Sequence, residues 1–412
     1  MKNKFLLALL ALIIIAPAAV AQDLVSPYSK FGYGILNDNA TSMQRQMGGI
    51  GYAMTGGRQI NAMNPAAYAS RDTLTFLFDM GVDFAIINTR EGDKSDKQYG
   101  GGLDYITMQF PAGKRVGLSL GLIPYSSVGY SFGSSINNGV AKREGTGGLN
   151  QLYLGAGVRT FKGLNLGVNI SYLFGTTFND VYATTTSQQQ ALFEQVMEVR
   201  DYHLLFGAQY SYDITPKHRL TAGLTYSPGK SLLGRTWVIK YAVDNSATLP
   251  DTVAKSRLNG NFSLPDTWGA GLNYEWNNRL MAEVDFTYQP WKNVKFQEMD
   301  NFIATKFANR WRIGAGVQYI PNPRGNYFRR MSYRIGGFYN RDYITVNDNN
   351  VKDFGLSAGF GFPAVAGKTL INLGFEWRHR TSSPVKLVTE NYFNITLGIN
   401  FNERWFMQSK IR

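Results

Sequence analysis

Apolar and polar residues alternate with a period of two through most of the chain beyond about residue 73. Phe393, Ile395, Leu397, Ile399 and Phe401 share one face of the last such stretch, and Asn394, Thr396, Gly398 and Asn400 the other. Ala282, Val284, Phe286 and Tyr288 alternate in the same way with Glu283, Asp285, Thr287 and Gln289. Trp268, Ala270, Leu272, Tyr274 and Trp276 do so with Gly269, Gly271, Asn273 and Glu275. Val116 to Leu122, Leu164 to Tyr172, Trp311 to Tyr319 and Phe354 to Phe362 read alike. Successive side chains of a strand point to opposite faces, so this period predicts strands with one greasy and one polar face. About fourteen such strands fit between Thr73 and Phe401.

The connections alternate too. Tight turns at Pro111–Lys114, Phe161–Gly163, Thr215–Lys217, Asn277–Asn278 and Pro363–Gly367 are separated by longer stretches. These lie around 89–101, 126–149, 175–199, 228–263, 290–309, 341–351 and 380–390. Short periplasmic turns and long external loops are the mark of an outer-membrane barrel, whereas a soluble sandwich has no reason to sort its loops by parity. The predicted fold is all-β: a transmembrane antiparallel up-and-down barrel over 73–401. An even strand count predicts both termini on the periplasmic side.

The amino terminus agrees with export. Lys2 and Lys4, the apolar run Phe5 to Ile15 and Ala19-Val20-Ala21 form a signal peptide over 1–21, with cleavage after Ala21. No later stretch reaches the ~20 continuous apolar residues of a spanning helix. The expected location is the outer membrane of a Gram-negative bacterium, with its lipids as the first partner. Cysteine is absent, which excludes disulfides, thiol chemistry and a lipid-anchoring cysteine. The three histidines, His203, His218 and His379, are scattered, and neither a metal constellation nor a catalytic triad spacing appears. The chain reads as a non-enzyme without a cofactor or metal.

The formal charge of +13 does not indicate nucleic acid in an exported protein. Its basic residues recur at the short turns, as at Lys114, Arg115, Lys162, Lys217, Arg219, Arg279, Arg329, Arg330 and Lys368. They read first as solvated turn residues, and second as a basic rim for lipid head groups or an acidic partner. The tail 402–412 carries Trp405 and Phe406, aromatics suited to anchoring at the periplasmic interface.

The polar strand face must be the lumen, because Arg or Lys on the lipid face costs about 2–4 kcal/mol at the midplane. Candidate lumen residues are Glu275, Glu283, Asp285, Arg312, Arg334, Glu376 and Arg378. Many other inward positions are glycine, among them Gly117, Gly167, Gly316 and Gly355, and these leave room inside. The preceding segment, 22–72, lacks the period of two, is too long for an ordinary tail, and is a candidate plug that would satisfy its backbone against lumen side chains. In one external loop, the spacing of Leu192, Phe193, Val196 and Met197 suits a short helix.

Gly48-Gly49-Ile50-Gly51-Tyr52-Ala53 followed by Asn64-Pro65-Ala66 resembles the amino-terminal hatch of the FadL-type family, outer-membrane transporters of long-chain fatty acids and hydrocarbons. Gly117 to Pro124 with Tyr125 looks like its early strand ending in a proline. Phe206-Gly207-Ala208 with Arg219 to Ser227, and Leu264-Pro265 with Gly271, Tyr274, Asp285 and Trp291, are similar to its later hairpins. The resemblance runs from about Gly48 to Phe401 and points to a Bacteroidetes-like member. It implies a hatch containing Gly48, Gly49, Gly51, Asn64, Pro65 and Ala66, and a candidate strand kink with a lateral gap at Pro124. It also implies uptake of an apolar, fatty-acid-like ligand. Two features depart from the family: a longer extension through Ser26 to Gly34, and inward positions that are mostly small or charged. The alternative is a non-transporting barrel, a subunit or scaffold of a secretion or protein-assembly complex with a periplasmic or outer-membrane protein partner. Some relatives in Bacteroidetes-type secretion serve that role.

Overall fold

A computed structural model describes residues 26–55, 59–70, 75–136, 139–185, 190–243, 251–258, 262–296, 306–364 and 369–404. The signal peptide over 1–21 and the aromatic pair Trp405 and Phe406 lie outside them. Fourteen antiparallel strands close into one cylinder. The first seven are β1 (Thr75–Glu91), β2 (Lys94–Pro111), β3 (Val116–Ile136), β4 (Gly139–Phe161), β5 (Leu164–Thr185), β6 (Gln190–Thr215) and β7 (His218–Ser227). The rest are β8 (Thr267–Trp276), β9 (Leu280–Gln289), β10 (Arg310–Tyr319), β11 (Ser332–Val346), β12 (Asn349–Ala364), β13 (Thr369–Ser383) and β14 (Thr389–Arg404). Closure comes from β1 against β14, in register from Thr75↔Arg404 to Arg90↔Thr389. The last strand thus continues three residues past Phe401, the expected end of the barrel.

The alternation does what its period demands. Leu154, Ile170, Leu224, Leu272, Ile335, Leu356 and Phe375 are exposed on the outer wall, while Asn273, Glu283, Asp285, Arg312 and Arg334 are buried on the inner face. No described helix is long and apolar enough to cross a membrane. A tilted strand needs about 9–11 residues to span the hydrocarbon.

Several strands are far longer than that, which corrects the expectation of long loops. The stretches around 126–149 and 175–199 are mostly extended hairpins continuing β3, β4, β5 and β6 beyond the membrane. At 341–351 the connection is a two-residue turn, Asn347-Asp348, with both residues at positive φ, the backbone that suits a tight hairpin. Leu192, Phe193, Val196 and Met197 lie in β6 and form no helix. They pair with a further hairpin strand, Gly234–Val243, itself paired with Asp251–Leu258. The upper halves of β3 to β6 and this hairpin make a six-stranded sheet projecting from the hairpin end of the barrel, which the turn pattern makes the external end.

Residues 26–55 and 59–70 run down the inside of the cylinder. Ser26 and Tyr28 lie at the hairpin end, where the Ser26 amide donates to the Gly129 carbonyl at 2.6 Å and its hydroxyl to Glu390 at 2.7 Å. The helical turn α1 (Ser42–Arg45) follows, and a 3₁₀ helix over Pro65–Ser70 reaches the turn end beside β3, β4 and β5. The described amino-terminal residues therefore sit at the external end, opposite to the expected side. The even strand count governs only where β1 begins, and the chain has already traversed the lumen by then.

Candidate functional site

The lumen is filled by this inner segment, held by the polar face of the wall. Glycines on the wall let the two backbones touch. A Cβ on Gly117 would run into the Tyr68 carbonyl, one on Gly223 into that of Tyr52, and one on Gly316 into that of Met47. The room at Gly117, Gly223 and Gly316 is thus occupied by chain, whereas Gly355 faces the Phe338 ring of the wall. Gly48 and Gly49 end the α1 turn with φ of +74° and +67°, a left-handed pair that side chains disfavour.

Carboxylates take the segment's amides. One oxygen of Asp285 accepts from the backbone N–H of Gly51 at 2.6 Å and of Tyr52 at 2.9 Å, and Glu283 accepts from Ala53 at 2.9 Å. Arg312 donates to the Gly48 carbonyl at 2.6 Å and the Gly49 carbonyl at 3.3 Å. Arg334 donates to Gln46 at 2.8 Å and Asn372 at 2.7 Å. Glu275 accepts from Thr55 at 3.4 Å. The Asn64 amide spans Tyr52 O at 2.7 Å and, through its own oxygen, the Ala66 N–H at 3.1 Å. Pro65 starts the 3₁₀ helix and packs on Gly157 and Gly167.

The other two lumen candidates, Glu376 and Arg378, pair with each other at 3.0 Å. They face a cavity of about 460 Å³ beside the hairpin end. Its wall also holds Asp38, Arg45, Asp104 and Arg312, with Arg45 bridging Asp104 at 2.5 Å. Asp38 lies 3.2 Å from both Arg310 and Arg312. Burial opposes ionisation of the Asp38 carboxyl, but Arg312, Arg310 and Arg378 outweigh it and hold the group at about 2. A folded value below the unfolded one near ~3.9 gives stability that is present above that pH and is lost on acidification. Protection of the 34–40 amides from hydrogen exchange should hold from neutral pH to about pH 4 and weaken between about 4 and 2. Asp38→Asn should abolish that step, and an unchanged acid profile in the variant would refute the assignment.

Around Pro124 the pairing of the wall is irregular. Pairing of β2 with β3 runs only from Pro111↔Gly117 to Ile106↔Leu122. Above it, β3 bulges between Pro124 and Ser126 against β4, and β2 shifts register against β1 at Asp104. Two facing irregularities bend the strands apart. The upper edge of β3 is instead met by a two-residue strap, Ile35–Leu36, paired with Ser127 and Ser126. The 460 Å³ cavity is bounded by that strap on one side and Gly101 to Asp104 on the other.

An aromatic cap closes the hairpin end. Trp291 stacks on Tyr343 at 4.2 Å, with Tyr33 at 5.9 Å from Trp291, and the Tyr343 hydroxyl donates to the Gly34 carbonyl at 2.5 Å. The extension through Ser26 to Gly34 therefore helps to seal the barrel.

His203 lies 2.8 Å from the Ser227 hydroxyl, but that hydroxyl also contacts the Leu204 carbonyl at 2.6 Å, and Asp201 is paired with Lys230. His218 contacts the Tyr274 hydroxyl and His379 contacts Asn391. Among the described residues no group of three or more His, Cys, Asp or Glu could hold a metal ion. Sequence reasoning did not single out Asp38, Arg45, Asp104 or Arg310. The only signal for Asp104 is that Leu103 is exposed outward while both Asp104 and Tyr105 are buried, a break in alternation visible only once the strand is placed.

A fourteen-stranded barrel threaded by its own amino-terminal segment, with broken pairing beside the third strand, defines the class: a β-barrel of FadL-type fold. Solved structures share it. A Pseudomonas aeruginosa FadL homologue superposes with a TM-score of 0.63 at 13% identity, covering 89% of this chain and 99% of that one. The Pseudomonas putida toluene transporter TodX gives 0.61 at 14%, covering 90% and 100%. The Ralstonia pickettii toluene transporter TbuX gives 0.57 at 13%, covering 89% and 99%. A family described as BamG matches residues 1–412, and the chain belongs to the BamG family. A search of curated proteins gives no match.

Proposed function

We propose that this chain is a plugged barrel subunit that docks a protein partner at the outer membrane, as a scaffold in protein assembly or secretion. The observation that carries this reading is the content of the lumen. Its segment is tied to the wall by Asp285, Glu283, Arg312 and Arg334. A cavity of about 460 Å³ beside it carries Arg45, Asp104, Glu376 and Arg378 on its wall. An apolar ligand needs mostly apolar walls, and here Ile35, Leu36, Leu103 and Phe174 share the wall with these charged groups. The projecting six-stranded sheet adds an external surface with unpaired strand edges, a form that protein partners use. The predicted leader over 1–21 and an outer membrane of Gram-negative type belong to the same reading.

A second reading rests on the irregular pairing at Pro124 and on the shared fold. TodX and TbuX are toluene transporters by title, and a lateral opening would suit release of a hydrophobic small molecule into the membrane. Gentle detergent extraction from native membranes separates the two. A protein retained at constant ratio through two columns, with no lipid-like molecule held in the barrel, is the expected result. One fatty-acid-like molecule per barrel and no retained protein would overturn the docking reading and establish the second.

A further inference from the structure

We infer that the cleft between β2 and the strap is a binding site for an extended segment of a partner protein, which adds to β2 as an extra strand. This rests on the docking reading and specifies where docking occurs. Counting up from the turn at 112–115, the residues of β2 flanking the cleft, Gly100 to Asp104, fall near the top of the ~9–11 residues that span the hydrocarbon. Backbone groups at that depth require hydrogen-bond partners. On β3 the chain supplies them itself: Ile35 and Leu36 pair with Ser127 and Ser126, and the Asn37 amide donates to the Tyr125 carbonyl at 2.9 Å. This edge therefore already accepts a short added strand. On β2 the ladder toward β3 stops at Ile106.

The composition of that edge favours a polypeptide over a lipid. Gly100-Gly101-Gly102 are consecutive, and a Cβ on Gly102 would meet nothing within 4 Å. Glycine in a strand beside open space lets another backbone approach closely. The cavity behind, with Arg45 and Asp104 at its wall beside Leu36, Leu103 and Phe174, offers both polar and apolar contacts to alternate side chains of the incoming strand. An open edge of the projecting sheet, Asp251–Leu258, carries exposed Lys255 and Arg257, and charged side chains protect an edge from pairing.

The test uses the complex extracted from native membranes and the isolated full-length barrel. Amides of Gly100 to Leu103 are expected to exchange about tenfold or more slowly in the complex. Gly102→Phe should lower partner retention about tenfold, because a ring there occupies the strand's path. Gly113→Phe, at a turn with equal open space, should leave retention unchanged. A photoreactive probe on Gly102→Cys, in a chain without other cysteines, should capture the same retained protein. Protection confined to Asp251–Leu258 or to the short turns would overturn the cleft assignment and leave the docking reading intact. Labelling of lipid alone at Gly102→Cys with the protein still retained would do the same. If no protein is retained, both fail.

Discussion

Replacing Gly336 by leucine is expected to push the inner segment off the wall and convert a plugged cylinder into a conducting one. Gly336 faces Met47 and Gly48, and a Cβ there would lie 2.5 Å from the Gly48 nitrogen and closer still to the Met47 carbonyl carbon. The obstacle is backbone, so no side-chain rotation relieves it. Overpacking a tight interior costs about 1–3 kcal/mol where neighbours can shift, and a backbone-to-backbone overlap sits at or beyond the upper end. The strand ladder is continuous through β10, β11 and β12 without help from the segment, so the barrel should persist while its filling leaves. Single-channel recording in planar bilayers should show large, steady conductance for Gly336→Leu and near silence for the parent and for Gly113→Leu. Residues 26–55 should become protease-sensitive in the variant alone. A silent variant with a protected segment would show that the wall glycines are not what admits the filling.

Asp285→Ala is expected to release the centre of the same segment without opening the wall. The carboxylate accepts from two consecutive amides, Gly51 and Tyr52, and is itself buried. Hydrogen bonds to a charged acceptor are worth ~1.5–3 kcal/mol each, and a donor left buried without one bears its full desolvation cost. Loss of a single bond at the upper end corresponds to about a hundredfold change in local opening. Exchange of the Gly51 and Tyr52 amides should accelerate by at least about that factor. The Ala53 amide, still held by Glu283 at 2.9 Å, should change less. Asp285→Asn keeps an acceptor but drops the charge, and should fall between. Unchanged exchange at Gly51 and Tyr52 would mean that packing on Gly271 and Gly223, rather than the carboxylate, holds this stretch.

Much of the wall was legible because each strand meets two environments. Lipid outside and polar filling inside impose a period of two, and Glu283, Asp285, Arg312 and Arg334 could be assigned inward from their neighbours alone. The glycines could be read as space. That the space holds the backbone of Met47, Tyr52, Pro65 and Tyr68 follows from contacts between residues distant in the chain. The expected external loops misled for a related reason. Lys142, Tyr182 and Glu194 interrupt the apolar period there, while Ala141, Gln195 and Met197 on the same strands are buried, so these paired stretches read as loops.

From sequence alone came the class of fold, the number of strands to within counting, the facing of the regularly alternating wall positions and the candidate plug. Hydrophobic burial is local in a strand, one residue at a time, and so it is written in the order of residues. The direction of the plug, its sealing cap at Tyr33, Trp291 and Tyr343, the charge cluster around Asp38 and the irregular pairing at Pro124 were decided by the closed cylinder. Each depends on which distant strands become neighbours when β1 meets β14, and on two bulges whose effect exists only against a paired strand.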